Sequence, residues 1–314
     1  MSTGIDHILA AAASQPWALM PEKLAEIQAF LALRADGARF SREEIQARIG
    51  PGRTGEPAAS SGVVAVIPIV GIISQRMNML ADISGPGGTS TDRVGAAFRR
   101  AMADPNVKAI VFDVDSPGGG CFGTQELADE IFAARGRKPI VAQVNSLAAS
   151  AAYWIISSAS EIVATPGGEV GSIGVYGSHS DMSAMMEKAG IRKTLVSAGE
   201  FKVEGNPLEP LGEEARAYMQ KRVNEVYGDF VRAVARGRGV TPARVRAEYG
   251  KGRTMGAREA ARLGMVDRVA TMQETLRRFG GGGGPVAAPA PAGGMDATSM
   301  EMRRRRHAQR LRMR

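Results

Sequence analysis

Asn145-Ser-Leu-Ala-Ala-Ser150-Ala-Ala-Tyr-Trp154 follows a short apolar run, Pro139 to Val144, and begins an alanine-rich segment that continues to Ser158. The first run reads as a strand and Leu147 to Ser158 as a helix, so Ser150 falls near a strand-to-helix junction. Backbone N–H groups at a helix start lack intrahelical partners and can face a reacting oxygen. Ser150 is therefore a candidate nucleophile. Ala148, Ala149, Ala151 and Ala152 would let another chain approach, with Tyr153 and Trp154 behind them. Taken alone, the stretch also reads as an alanine helix that packs well, and packing is the stronger reading of it.

A second stretch shifts that balance. Phe112-Asp-Val-Asp-Ser-Pro-Gly-Gly-Gly120 ends an apolar run in one proline and three glycines. Glycine reaches backbone conformations closed to other residues and leaves its amide bare. A serine hydrolase needs such amides for the charge that develops on the substrate oxygen, and one lost donor costs about 3 kcal/mol of transition-state stabilisation. Gly118 and Gly119 are the candidate donors. The competing reading is a plain strand-to-helix turn.

The third stretch, Ser197-Ala-Gly-Glu-Phe-Lys202-Val-Glu-Gly-Asn-Pro207, is a polar loop after a strand-like Lys193 to Val196. Only 8 of the 40 basic residues are lysine, and Lys202 is one of them. A desolvated lysine can act as a base where arginine cannot. A solvated loop lysine is the bland alternative.

These stretches, with Gly171-Ser-Ile-Gly174 between the serine and the lysine, resemble the S49 family of serine peptidases, signal-peptide-peptidase-like enzymes with a Ser-Lys dyad. The order is Ser-Pro-Gly-Gly, Ala-Ala-Ser-Ala-Ala-Tyr, Gly-Ser-Ile-Gly, then the lysine 52 positions after the serine. The likeness runs from about Val63 to Ala270 and includes the closing Ala-Arg-Glu-Ala-Ala-Arg-Leu-Gly-Met-Val-Asp267. The resemblance implies an α/β fold: a ClpP/crotonase-like spiral of strand-strand-helix units with a mostly parallel sheet. It also implies that Ser150 and Lys202 form the dyad, that Ser172 hydrogen-bonds the lysine amine, and that the amides of Gly118, Gly119 and Ala151 hold the oxyanion. No cofactor is expected. Subunits of the family enclose their sites, which implies a homo-oligomer. The compact, single-copy domain resembles the phage head-maturation branch, whose substrates would be protein or peptide, including capsid scaffold or portal proteins.

The chain has 314 residues, 44% hydrophobic and 5% aromatic, enough for one large domain with an Ala/Val/Ile core. One cysteine excludes an internal disulfide and fits a reducing compartment. No apolar run approaches the roughly 18 residues of a membrane span, and no secretory leader is evident, so a cytoplasmic protein is expected, in a phage setting within the procapsid.

Residues 1–49 are expected to form a helical extension, with helices at Pro21 to Leu33 and Ser41 to Ile49, the latter opening on a capping-box pattern. Residues 50–61 read as a linker, 62–279 as the peptidase domain, and 280–314 as a Gly/Pro/Ala linker with a disordered basic tail. That tail carries seven arginines against Asp296 and Glu301, which puts +5 of the net +8 there and suits an anionic partner.

Val63 to Ile69 reads as a strand buried on both faces, and Met77 to Thr91 as a flexible loop. Strands at Lys108 to Val114, Pro139 to Val144 and Glu161 to Ala164 alternate with helices at Asp92 to Met102 and Thr124 to Arg135, which argues for a parallel sheet. Further helices are expected at Leu211 to Arg236, Thr241 to Tyr249 and Gly256 to Leu263.

His179, with Asp181 or Asp267, is the alternative base; His7 and His307 lie in terminal segments. Cys121 has no neighbouring histidine in sequence to activate it. No cluster has metal-ligand spacing, so no metal is expected. The alternative functions are a soluble signal-peptide-peptidase-like protease of a host and a non-proteolytic crotonase-type acyl-binding or assembly protein on the same fold.

Overall fold

A computed structural model describes residues 16–26, 63–76 and 88–280. The main sheet is built from β2 (Val64–Val70), β5 (Ala109–Ser116), β7 (Ile140–Ala149), β8 (Glu161–Ala164), β9 (Glu169–Gly171), β10 (Thr254–Gly256) and β11 (Arg268–Val269). Its central path runs β10-β9-β7-β5-β2, with β8 between β7 and β11. Every pairing is parallel except β10 with β9. A second, four-stranded sheet takes the order β1 (Trp17–Leu19), β6 (Gly118–Gly120), β3 (Ile72–Ser74), β4 (Gly88–Ser90). The architecture is mixed α/β with mostly parallel sheets, consistent with the ClpP-like fold.

Parallel neighbours need crossovers, and the helices supply them on one face. α1 (Thr91–Ala103) starts at Ser90, whose hydroxyl accepts from the Arg93 amide, and buries Val94, Phe98 and Met102. α2 (Thr124–Ala133) turns Leu127, Ala128 and Ile131 into the same core, and α3 (Ala151–Ile156) is buried on every side. Small side chains let these helices lie close to the sheet, and the few aromatics sit where bulk is needed. Trp154 stacks on Phe230 of α5 (Glu213–Arg238) with ring centroids 4.7 Å apart.

Gly237 of α5 meets α3 at backbone distance: a Cβ there would stand 2.0 Å from the Ser157 carbonyl oxygen. Arg135 locks the same junction by donating to the Ser157, Ser158 and Gly237 carbonyls. On the opposite sheet face, Val64, Val111, Val141 and Val163 pack with Met272 and Leu276 of α8 (Met272–Arg277), which opens on a Thr271/Glu274 capping box.

Several elements differ from the sequence-based expectations. β2 lies at the sheet edge, paired to β5 among the described residues, and packs on both faces as expected, Ile67 and Ile69 in the main core and Val64 with Val111 on the other side, although Ala65, Val66, Pro68 and Val70 are half-buried. The helix expected from Leu147 starts at Ala151, because β7 extends through Ala149 to pair with β9. Lys193 to Val196 is not a strand: it pairs with nothing in either sheet and is exposed. Gly118–Gly120, for which a strand-to-helix turn is the competing reading, is a buried strand, and Gly88–Ser90 at the end of the expected loop is another. Residues 21–26 are helical; the rest of the Pro21 to Leu33 helix, the Ser41 to Ile49 helix and the arginine tail lie outside the described residues. α6 (Pro242–Glu248), α7 (Ala257–Leu263) and α5 agree with expectation to within two residues at each end.

Candidate active site

The site grows from the far end of β7. Up to Val144 this strand pairs with β8, and from Leu147 it pairs with β9 instead. Between these halves its register with β5 jumps, from Val114 opposite Val144 to Ser116 opposite Ala148, a bulge that re-aims the strand end. The next residue, Ser150, has φ 56 and ψ −119. A non-glycine residue there stores about 1–3 kcal/mol of strain, which persists only where its surroundings impose it. Here they do, for the Ser150 amide donates to the Gly171 carbonyl at 2.8 Å and the residue is 1% exposed.

Ser172 follows Gly171 in β9 as Ser150 follows its register partner Ala149 in β7. It too has positive φ, 53, and its amide donates to the Arg253 carbonyl at 2.9 Å. Among the described residues only Lys251 shares this conformation outside glycine. Two of the three strained positions are thus the two serines that the sequence singled out.

Gly118 completes the convergence. With φ 100 it requires glycine, and a Cβ on it would stand 2.9 Å from the Ser150 Cβ and 3.0 Å from the Ala149 carbonyl. Its N–H donates to the Ser116 hydroxyl at 3.1 Å, and that hydroxyl donates in turn to the Gly71 carbonyl at 2.6 Å. Gly119 lies against the backbone of β3, 1.9 Å from the Ile73 oxygen for a built Cβ. Ala151 opens α3 with no side-chain cap over its first turn. The Ser150 hydroxyl donates to the Gly174 carbonyl at 3.5 Å, a long contact that holds it weakly.

Lys202 is not part of this convergence. It is exposed, in a turn whose amide donates to Gly199, and no hydrogen bond joins it to Ser150 or Ser172 among the described residues. The segment around it exposes Ile191, Leu195, Val196 and Phe201, with Val196 94% exposed.

The alternative bases are engaged elsewhere. His179 Nε2 contacts the Asn206 carbonyl at 3.0 Å, Asp181 accepts from the Ser183 amide, and Asp267 pairs with Arg238 and accepts from the Ile162 amide. Burial pushes the Cys121 thiol up to about 12, which makes it a poor nucleophile. Among the described residues no group of three His, Cys, Asp or Glu is placed to hold a metal ion, and no helix is long and apolar enough to cross a membrane.

Sequence reasoning missed Ser116, which ties the glycine strand to Gly71, and the whole of β1. The hydroxyl beside Pro117 was in view, but its partner is 45 positions away.

The sequence profile of Peptidase family S49 matches residues 133–280, which include Ser150, Ala151, Ser172 and Lys202. This segment belongs to family S49. Gly118 and Gly119 precede it. The chain is 33% identical over 249 residues to Head-tail preconnector protein GP5 of Enterobacteria phage P21, an alignment covering 75% of this chain and 49% of that protein. It is 35% identical over 176 residues to Putative protease MJ0651 of Methanocaldococcus jannaschii, 56% of each chain. With Capsid assembly protease C of Escherichia phage lambda it shares 35% over 172 residues, 55% of this chain and 39% of that one. The chain thus spans about half the length of the curated relatives it matches.

Proposed function

We propose that the chain is a serine endopeptidase in which Ser150 is the nucleophile, Lys202 its base and Ser172 the hydroxyl that orients the lysine amine. The observation that carries this reading is the strained, buried Ser150, set between Gly118 and the Gly171-Ser172 turn. Ser150 Oγ attacks a peptide carbonyl while Lys202 takes its proton. The amides of Gly118, Gly119 and Ala151 stabilise the oxyanion, for which the Gly118 N–H must turn away from Ser116. The lysine returns the proton to the departing amine, and water releases the acyl group.

Lys202 has to be brought to Ser150 by seating of the exposed segment that carries it. The exposed apolar side chains around it favour a second copy of this chain as the seat, and hence a homo-oligomer. The phage relatives' names, a head-tail preconnector protein and a capsid assembly protease, support a role in capsid assembly. Scaffold or portal proteins as substrates, and the host cytoplasm or procapsid as the setting, belong to the same proposal. An anionic partner for the arginine tail belongs to the same reading.

The test is turnover of an unfolded protein and of capsid assembly proteins by the intact chain and by Ser150→Ala. Cleavage lost in Ser150→Ala, with a capsid protein retained uncleaved, is expected. Cleavage of unfolded protein without cleavage of any capsid component would support a general protease instead, and turnover that survives in Ser150→Ala would overturn the assignment.

A further inference from the structure

The glycine strand β6 has two edges, and both are in use. β3 pairs with one edge in parallel, and β1 with the other, antiparallel, setting Trp17 opposite Gly120, Ala18 opposite Gly119 and Leu19 opposite Gly118. The Met20 amide extends the ladder to the Pro117 carbonyl at 3.2 Å. On its far side β1 exchanges two hydrogen bonds with Tyr176, two residues beyond Gly174: Trp17 N–H donates to the Tyr176 carbonyl at 2.8 Å and Tyr176 N–H to the Trp17 carbonyl at 3.1 Å. Residues 17–19 are therefore an extended segment sandwiched between the two walls that flank Ser150.

The register brings the main chain to the nucleophile. The same point beside Gly118 that lies 2.9 Å from the Ser150 Cβ lies 2.3 Å from the Ala18 carbonyl oxygen. The Ala18 side chain is fully buried and joins the main core, whereas Trp17 and Leu19 point the other way into a small separate cluster with Leu24 and Tyr176. A peptide adding to β6 would need the edge that β1 holds and no other, because the opposite edge belongs to β3. Yet the arrangement is not that of a reacting bond: the Gly118 N–H is on Ser116, and the Ser150 hydroxyl is turned to Gly174.

We propose that Trp17–Leu19 is a built-in occupant of the peptide groove, and that an extended substrate segment binds by strand exchange with it. The inference rests on the peptidase reading of Ser150 for its consequence, but the exchange itself is a binding event. The preferred segment carries a small residue at the place of Ala18, flanked by large apolar residues that replace Trp17 and Leu19. The occupant is held by a three-residue ladder, the Tyr176 and Met20 backbone bonds and a four-side-chain cluster, and its release withdraws only one small side chain, Ala18, from the main core.

The test uses a fluorescent peptide spanning residues 14–22. The intact chain should bind it weakly, and the Trp17→Ala/Leu19→Ala double variant at least tenfold more tightly. The double variant should also cleave an unfolded protein at least fivefold faster, with unlabelled peptide raising KM and leaving kcat unchanged. In the unmodified chain, excess peptide should accelerate hydrogen exchange at residues 17–20 and leave β5 and β7 unchanged, a readout that does not depend on how the variant folds. If the peptide binds neither protein and does not alter exchange, β1 is a permanent strand and the proposal is overturned, whatever the activity. If it binds as expected but no protein cleaves anything, strand exchange stands and the peptidase reading fails.

Discussion

Ala149 and Gly171 face each other on neighbouring parallel strands, and the residue after each is a serine with positive φ. The Ser150 amide bonds back to the Gly171 carbonyl, so the two turns are one unit. A polar side chain held in a strained turn at a sheet end gains nothing for stability, which is why the pair marks the site.

Replacing Ser150 by glycine should therefore separate stability from chemistry. Ser150→Gly relieves the positive-φ cost and should unfold about 1 kcal/mol later than the intact chain while having no peptidase activity. Thermal melts beside turnover assays measure both, and a Ser150→Gly chain less stable than the intact one would show that the turn is not strained.

Lys202 lies exposed, and the seating of its segment on another copy makes a specific prediction. Ser150→Ala and Lys202→Met should each be inactive alone, yet mixing them in equal amounts with subunit exchange should restore about a quarter of full activity, since one random junction in four joins an intact serine to an intact lysine. Recovery of nothing in a mixture shown to exchange subunits would place both groups within one chain.

Cys121 gives a pH prediction. Its thiol is raised from 9.0 to about 12 by burial, so folding favours the protonated form. The contribution to stability is complete below about pH 9 and is lost as pH rises towards 12. Cys121→Ala should flatten the alkaline limb of the stability curve, and iodoacetamide should label the native thiol at pH 8 far more slowly than the unfolded one.

At the α3–α5 contact, Gly237→Ala forces a methyl group into the Ser157 backbone, 2.0 Å from its oxygen, where no side chain can yield. A loss of roughly 3 kcal/mol is expected by denaturant titration. Gly239→Ala, in open space but at φ 64, should cost about 1 kcal/mol.

The strands with continuous apolar sequence, β5, β7 and β8, were legible because burial writes itself into composition. Helices α1, α2 and α5 were legible from periodicity. The short strands were not: Gly118–Gly120 has no side chains to form a pattern, and Trp17–Leu19 is three residues before a helix. Lys193 to Val196 has strand-forming residues but no partner edge, so its composition misleads. Leu147 to Ala149 stay in β7 rather than α3 because they pair with β9, some twenty residues downstream.

From residues alone, the order of Ser116-Pro-Gly-Gly, Ser150, Gly171-Ser172 and Lys202 determined the family and the candidate groups, because chemistry restricts which residue types can serve and local spacing is a property of sequence. Only the tertiary structure decided that Gly118 and Gly171 meet at Ser150, that Lys202 stands apart from them, and that residues 17–19 pair with the glycine strand. These are outcomes of strand register and main-chain hydrogen bonding between segments as far apart in the chain as Trp17 and Tyr176, and the backbone groups that make those bonds are the same in every residue but proline.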